Sequence, residues 1–286
     1  MTLSRRRFLA VSAALAAGPA RADSWSGFAM GAEVAITLHG PREVTGPALA
    51  AARTAIDEVE ARFSLYRPGS DLSQLNREGA LAVLHPWMAA ILDDCDRLHR
   101  VTQGHFDPTV QGLWTTPPGP LGWHRVTRGP GIALGPGQSL TLNGIAQGFG
   151  ADRVAEVLQA HGLTHCLVNL GEFRALGGPW RIGIEDPAAG LLGSRSLTDA
   201  AIATSAPGAL ILGDGLGHIR NPRNPARAPL WSSVTVETAS AALADGLSTA
   251  FCTMSRAGIA EALSALPDPV RVTLVDGAGD LSTLGT

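Results

Sequence analysis

The sequence predicts an α+β fold in a single domain. Runs with apolar residues at every second position interleave with runs at helical spacing, without the strict strand–helix–strand alternation of a parallel sheet. No internal repeat, low-complexity linker or wide polar gap divides the 286 residues.

The first segment reads as a leader. Ser4-Arg5-Arg6-Arg7-Phe8-Leu9 has the pattern of a twin-arginine signal. The apolar run from Phe8 to Ala17 is too short to span a bilayer, and Ala20-Arg21-Ala22 is a small-x-small cleavage site. The expectation is a Tat signal over residues 1–22, a soluble domain over 23–286 and a periplasmic location.

The elements follow in order. Val34, Ile36 and Leu38 alternate with Ala35 and Thr37, as in a strand. Pro47 to Phe63 carries Leu49, Ala52, Ile56, Val59 and Phe63 at helical spacing. Pro86 opens a helix with Met88, Ile91, Leu92, Cys95 and Leu98 on one face. Residues 115–138 are rich in Pro and Gly and read as irregular. A short strand is expected over Ser139–Asn143 and a helix over Gln147–His161. Strands are expected over Thr164–Leu170, Trp180–Ile184, Leu197–Ala203 and Ser233–Glu237, then a helix over Ser240–Met254 and a closing strand over Val270–Val275.

Composition excludes several function classes. The chain has no lysine, and removing the leader's four arginines leaves a net charge of about −7. Such a surface offers no basic groove, so nucleic acid is not the expected partner. Cys95, Cys166 and Cys252 are far apart, lie in apolar stretches and form no C-x-x-C pair. They read as buried free thiols, neither a disulfide framework nor a zinc site.

Two stretches carry the most chemistry. In Ala241–Phe251, Leu243, Leu247 and Phe251 form an apolar stripe. Asp245 and Thr249, one helical turn apart, fall on the opposite side. A carboxylate and a hydroxyl are hard oxygen donors of the kind Mg²⁺ takes while keeping waters and substrate phosphates. Taken alone, such a pair is more often an ordinary exposed helix face. The second stretch, Leu142–Asp152, reads as a strand, a glycine turn at Gly144 and a helix start. Exposed N–H groups there could hold a phosphate, or the stretch is a plain strand-to-helix turn. Shorter pieces add Asp107 in a proline-stiffened loop, Thr204-Ser205 at a strand end, His218 beside a turn and Tyr66 in a loop.

Taken in order, these pieces resemble the ApbE family of FAD:protein FMN transferases. The resemblance runs from about Met30 to about Met254, through Met30-Gly31, Phe63–Asn76, Gly104–Val110, Leu142–Asp152, His218–Pro222 and Ser233–Thr249. It implies a single-domain ApbE-like α+β fold related to the tunnelling-fold proteins. It implies Mg²⁺ held by Asp245, Thr249 and the backbone carbonyl of Ala146, with Asp245 and His218 in catalytic roles. Flavin contacts are implied at Met30, Tyr66, Asp107, Asn143 and Gly144. Others are implied at Gln147, Glu172, Thr204, Ser205 and His218.

The implied reaction moves FMN from FAD to a Thr or Ser hydroxyl of a partner protein and releases AMP. The implied partner is a flavin acceptor, a membrane-bound electron-transfer component. A leader of this type is similar to that of exported ApbE-like accessory proteins of nitrous-oxide respiration. The sequence departs from the family pattern at Asn143 for Asp, Gln147 for Lys, Ala206 for Gly, and one glycine fewer before Glu172. These departures cluster where FAD is expected. A non-catalytic flavin-binding protein, an assembly factor and an FAD pyrophosphatase therefore stand as alternatives.

Overall fold

A computed structural model describes residues 22–211, 215 and 217–285. The twin-arginine segment lies outside the described residues. In chain order come β1 (Ala22–Ala29), β2 (Ala32–His39), α1 (Arg42–Phe63), α2 (Asp71–Glu78), β3 (Ala80–Leu81), α3 (Pro86–Val101), β4 (Thr127–Arg128) and β5 (Ile132–Ala133). Then follow α4 (Ala146–Ala160), β6 (Cys166–Asn169), β7 (Phe173–Leu176), β8 (Trp180–Asp186), β9 (Gly190–Leu197) and β10 (Ala201–Ser205). The last elements are β11 (Ser233–Thr238), α5 (Ala241–Phe251), α6 (Arg256–Ser264), β12 (Arg271–Val275) and β13 (Leu281–Gly285).

Among the described residues the main sheet has eight strands in the order β1-β2-β6-β7-β10-β11-β12-β13. Each neighbouring pair is antiparallel. This is the α+β architecture the sequence predicts. Helices cover one face of the sheet, and Phe63 of α1 meets Phe149 of α4 edge to face at 5.5 Å. The β8–β9 hairpin covers part of the other face, where Trp180, Ile182 and Ile184 pack on Leu167, Phe173 and Ala175.

Met30-Gly31 is the loop of the β1–β2 hairpin. Both residues have positive φ, 54° and 77°, as a two-residue primed turn requires. Glu60 of α1 accepts the Met30 N–H at 2.9 Å and fixes this turn against the helix layer.

Several sequence expectations are corrected. Ser139–Asn143 is not a strand. Its backbone is held by the Asn76 side chain, which accepts from Leu140 N at 2.7 Å and donates to Leu140 O at 2.8 Å. One amide thus supplies the donor and acceptor that a ladder neighbour would. Leu197–Ala203 is not one strand, because a turn at Asp199 (φ 49°) carries the chain from β9 into the main sheet at β10. The helix expected from Pro47 begins at Arg42, with Pro47 exposed inside it. The solvent-facing ring leaves the carbonyl it cannot serve open to water. β12 does not close the sheet, since β13 pairs beyond it. The three cysteines are buried and free, as expected. Burial also raises the thiol pKa of Cys95 and Cys252, keeping both protonated.

Candidate functional site

The sheet's central strand ends and the helix layer enclose a cleft of about 1620 Å³. Drug-sized pockets are roughly 300–1,000 Å³, so this one has room for a dinucleotide. Every site residue named from the sequence lines it. Met30 and Tyr66 come from the first quarter of the chain. Asp107, Asn143, Gly144, Ala146 and Gln147 come from its middle, and Glu172, Thr204, Ser205, His218, Asp245 and Thr249 from the second half.

Helix α5 is placed by a cap that sequence reasoning did not single out. Asp152 of α4 accepts the backbone N–H of Ala241 and of Ala242, each at 3.0 Å, and the Ser240 hydroxyl at 2.8 Å. A carboxylate at a helix N-terminus satisfies orphan donors and opposes the helix dipole. It also welds α5 to α4. Gly148 of α4 then lies so close to α5 that its N–H donates to Asp245 Oδ2 at 3.0 Å. A Cβ on Gly144 would stand 3.0 Å from Thr249 Oγ1. The glycine turn and the Asp245–Thr249 helix turn therefore pack directly against each other.

The expected solvent side of α5 does not exist. Every residue from Ala241 to Ser248 is buried, Asp245 included, and only Thr249 is partly open, toward the cleft. Ser248 is a second residue the sequence reading passed over. Its hydroxyl meets Ser205 Oγ at 2.8 Å and donates to the Asp245 carbonyl at 3.0 Å. Ser205 also reaches Thr249 Oγ1 at 3.3 Å. This ladder of hydroxyls ties β10 to α5.

Glu172 is buried beside Asp245. Its Oε2 accepts the Thr204 N–H at 3.1 Å. Burial raises the pKa of both carboxyls, Asp245 to about 7, and the Asp245 charge pushes Glu172 further up. Neither acid takes part in an ion pair among the described residues. Two adjacent buried carboxylates with no cationic partner are costly when ionised. A hard divalent cation removes that cost.

The donor set fits Mg²⁺. Asp245 offers a carboxylate oxygen beyond the one that accepts from Gly148, and Thr249 Oγ1 faces the glycine turn; Ala146, whose carbonyl the resemblance implies as a third donor, also lines the cleft. Among the described residues no group of three His, Cys, Asp or Glu gathers as a metal cage.

A pH dependence follows. The folded metal-free protein holds protons on Asp245 and Glu172 that the unfolded chain has released. Stability is therefore greatest below the ordinary carboxylate range and falls as pH rises to about 7, the raised value of Asp245. Metal-free protein is expected to melt about 5 °C or more higher at pH 5 than at pH 8. Millimolar Mg²⁺ is expected to recover most of the difference. Calorimetry showing equal midpoints at the two pH values would contradict this.

Asp107 lines the cleft, but its carboxylate is occupied by the fold. Oδ1 accepts from Thr109 N at 2.8 Å and Thr109 Oγ1 at 2.6 Å, and Oδ2 from Trp123 N at 3.1 Å. It acts as the cap of a short 3₁₀ turn over Pro108–Trp114. Tyr66, 81% exposed, stands at the rim where a flat ring could lie on it. Gln147 reaches toward Met30 O at 3.5 Å and packs on Gly171, where a Cβ would meet its amide carbon at 2.6 Å. The lack of a side chain at Gly171 is what makes room for it.

Fold and site together define an α+β enzyme with an acid-lined, dinucleotide-sized cleft. A family model described as the ApbE family matches residues 30–274. The chain belongs to the ApbE family. It is 28% identical to an FAD:protein FMN transferase of Vibrio cholerae serotype O1, over 82% of each chain. It is also 28% identical to one of Haemophilus influenzae, over 68% of each. Among solved structures it resembles the flavin transferase ApbE from Vibrio cholerae, with a TM-score of 0.79 and 25% identity, covering 94% of this chain and 98% of that one. The ApbE protein from Thermotoga maritima has the same fold, with a TM-score of 0.81 at 22% identity over 92% and 96% of the two chains.

Proposed function

We propose that the protein transfers FMN from FAD to a Thr or Ser hydroxyl of an acceptor protein, in a Mg²⁺-dependent reaction that releases AMP. The observation that carries this reading is the buried Asp245–Glu172 pair beside Thr249 in a cleft of dinucleotide size. The names of the relatives, FAD:protein FMN transferases, agree with it.

The acceptor oxygen attacks the phosphorus on the FMN side of the pyrophosphate. The bond from that phosphorus to the bridging oxygen breaks, and AMP carries the oxygen away. Such a step needs positioning and charge neutralisation more than covalent chemistry. Asp245, Thr249 and the Ala146 carbonyl would hold the metal, with the buried Glu172 carboxyl beside Asp245. When bound, Mg²⁺ neutralises charge on the pyrophosphate. The hydroxyl ladder of Ser205 and Ser248 orients Thr249. His218, on the same cleft wall, takes the proton of the attacking hydroxyl.

Incubating the full chain with FAD and Mg²⁺ tests the reading. AMP release that depends on Mg²⁺, with flavin appearing covalently on an acceptor, is the expected result. Bound FAD that stays intact under these conditions would make the protein a flavin carrier instead.

Gln147 gives a narrower test. A neutral amide offers the pyrophosphate only hydrogen bonds, whereas a lysine would pair with it. Gln147→Lys is expected to tighten FAD binding several-fold in a flavin-fluorescence titration. Unchanged or weaker binding would remove Gln147 from the phosphate site.

The proposed place of action is the periplasm, reached through the twin-arginine route, with a membrane-bound electron-transfer protein as acceptor. Among the described residues no helix is long and apolar enough to cross a membrane. Replacing Arg5 and Arg6 by Lys is expected to leave the protein in the cytoplasmic fraction. An unchanged periplasmic yield would refute twin-arginine export.

A further inference from the structure

Beyond the arginine-rich leader, the segment after His218 is the most closely spaced run of arginines in an acidic chain. Arg220, Arg223 and Arg227 fall within eight positions, and residues 215–236 contain no Asp or Glu. Seven arginines elsewhere, Arg62, Arg67, Arg77, Arg128, Arg153, Arg174 and Arg195, each pair with a carboxylate. Arg223 and Arg227 are exposed, and neither forms an ion pair among the described residues.

The stretch is rigid. The buried Asn221 accepts from Arg223 N at 3.0 Å and Asn224 N at 3.3 Å through its side chain. Arg227 N donates to Asn224 O at 2.9 Å. Pro222, Pro225 and Pro229 restrict the backbone between. Its far end is tied to the core by Leu230 N to Cys252 O at 2.8 Å and Trp231 Nε1 to Met254 O at 2.9 Å. A charged surface held this way loses little entropy when a partner arrives.

It also stands at the mouth of the cleft. His218, Arg220 and Pro222 line the cleft, as does His105. Arg223 Nη1 lies 3.5 Å from His105 Nε2, and His105 Nδ1 lies 2.8 Å from Thr253 Oγ1. Burial, Arg223 and Arg227 together lower the His105 pKa. The ring therefore stays neutral, receives Arg223 and donates to Thr253.

We propose that the Arg223–Arg227 loop is the docking surface for an acidic segment of the flavin acceptor protein, holding it so that its hydroxyl enters the cleft beside His218. This rests on the transferase reading for the identity of the partner. Complementary charge at a rim speeds and orients encounter, and it is screened by salt.

The test uses fluorescent peptides of equal length, each with a central Thr, flanked by Asp, by Gln or by Arg. They are titrated by anisotropy against the full chain with FAD and Mg²⁺. Wild type is expected to bind the Asp-flanked peptide about tenfold more tightly than the Gln-flanked one at low salt, with the preference fading at high salt. The double variant Arg223→Glu, Arg227→Glu is expected to lose that preference and favour the Arg-flanked peptide. Its FAD affinity and its peptide-free AMP release are expected to stay at wild-type levels. The milder Arg223→Gln, Arg227→Gln variant should abolish the preference without inverting it, and serves if the first does not fold. No preference in wild type, or a preference that survives either variant, would overturn the proposal. Loss of FAD affinity in the variants would also overturn it, by assigning the arginines to the flavin donor. Anisotropy needs no turnover, so charge-dependent binding without Mg²⁺-dependent AMP release would refute the transferase reading and leave the docking surface standing.

Discussion

Asp245→Asn is expected to lower Mg²⁺-dependent AMP release from FAD about a hundredfold or more, while raising the melting point of the metal-free protein at pH 8. The first effect follows from charge: of the three oxygen donors Asp245, Thr249 and Ala146, only Asp245 brings a formal one. Removing a single charge-stabilising group from a dry site commonly reduces rate by 10²–10³, to order of magnitude. The second effect follows from burial. Asp245 is 3% exposed and sits beside Glu172. The amide keeps an oxygen for the Gly148 N–H but removes the buried like-charge conflict. Thr249→Val, which deletes a hydroxyl and its 3.3 Å contact with Ser205, is expected to reduce activity less, by about tenfold. Chromatographic AMP assays and circular-dichroism melts measure both. Full activity in a folded Asp245→Asn protein would mean that the metal is held elsewhere.

Gly148→Ala is expected to destabilise the protein by about 3 kcal/mol or more, near the upper end for overpacking. The added Cβ would overlap the carbonyl oxygen of Ala241, and would stand 2.5 Å from its carbonyl carbon and 2.8 Å from Asp245 Cβ. These neighbours are backbone or close to it, so α4 and α5 must separate. Separation also breaks the Gly148–Asp245 hydrogen bond and shifts the acid away from the glycine turn. Metal affinity should fall with stability. Chemical denaturation with equal midpoints for wild type and Gly148→Ala would show that the helices are not so close.

Where a motif brought its own local geometry, the sequence was legible. Gly144 stands in a turn before α4, and Asp245 and Thr249 share one helical turn whatever the tertiary surroundings. Burial was not legible. The stripe of Leu243, Leu247 and Phe251 implied an opposite wet side, but the small residues Ala241, Ala242, Ala244, Gly246, Ser248 and Ala250 let neighbours close in all round. Residues acting at a distance were missed for a related reason. Asp152 caps a helix 89 positions away and Asn76 braces a segment 64 positions away, and neither separation has a periodic signature. Asp107 lines the cleft as expected, but its bonds to Thr109 and Trp123 had no signature in the sequence. β1, with alternating Ser, Gly and Ala, lacked the branched residues that mark a strand.

The pairing of β2 with β6 brings Ile36 opposite Val168, and this has a consequence for how the protein is made. A ladder joining positions about 130 residues apart needs a long loop closed before it rewards the chain, so this part of the sheet forms slowly. During synthesis, β2 waits at an open edge until β6 has left the ribosome. The wait for the cleft is longer, since its last wall is α5 with Asp245 and Thr249. A ribosome stalled before that helix leaves a polypeptide with the sheet's early strands but no acid–hydroxyl pair. Partial chains of this protein therefore have no partial activity, and their unpaired strands are targets for chaperones and proteases.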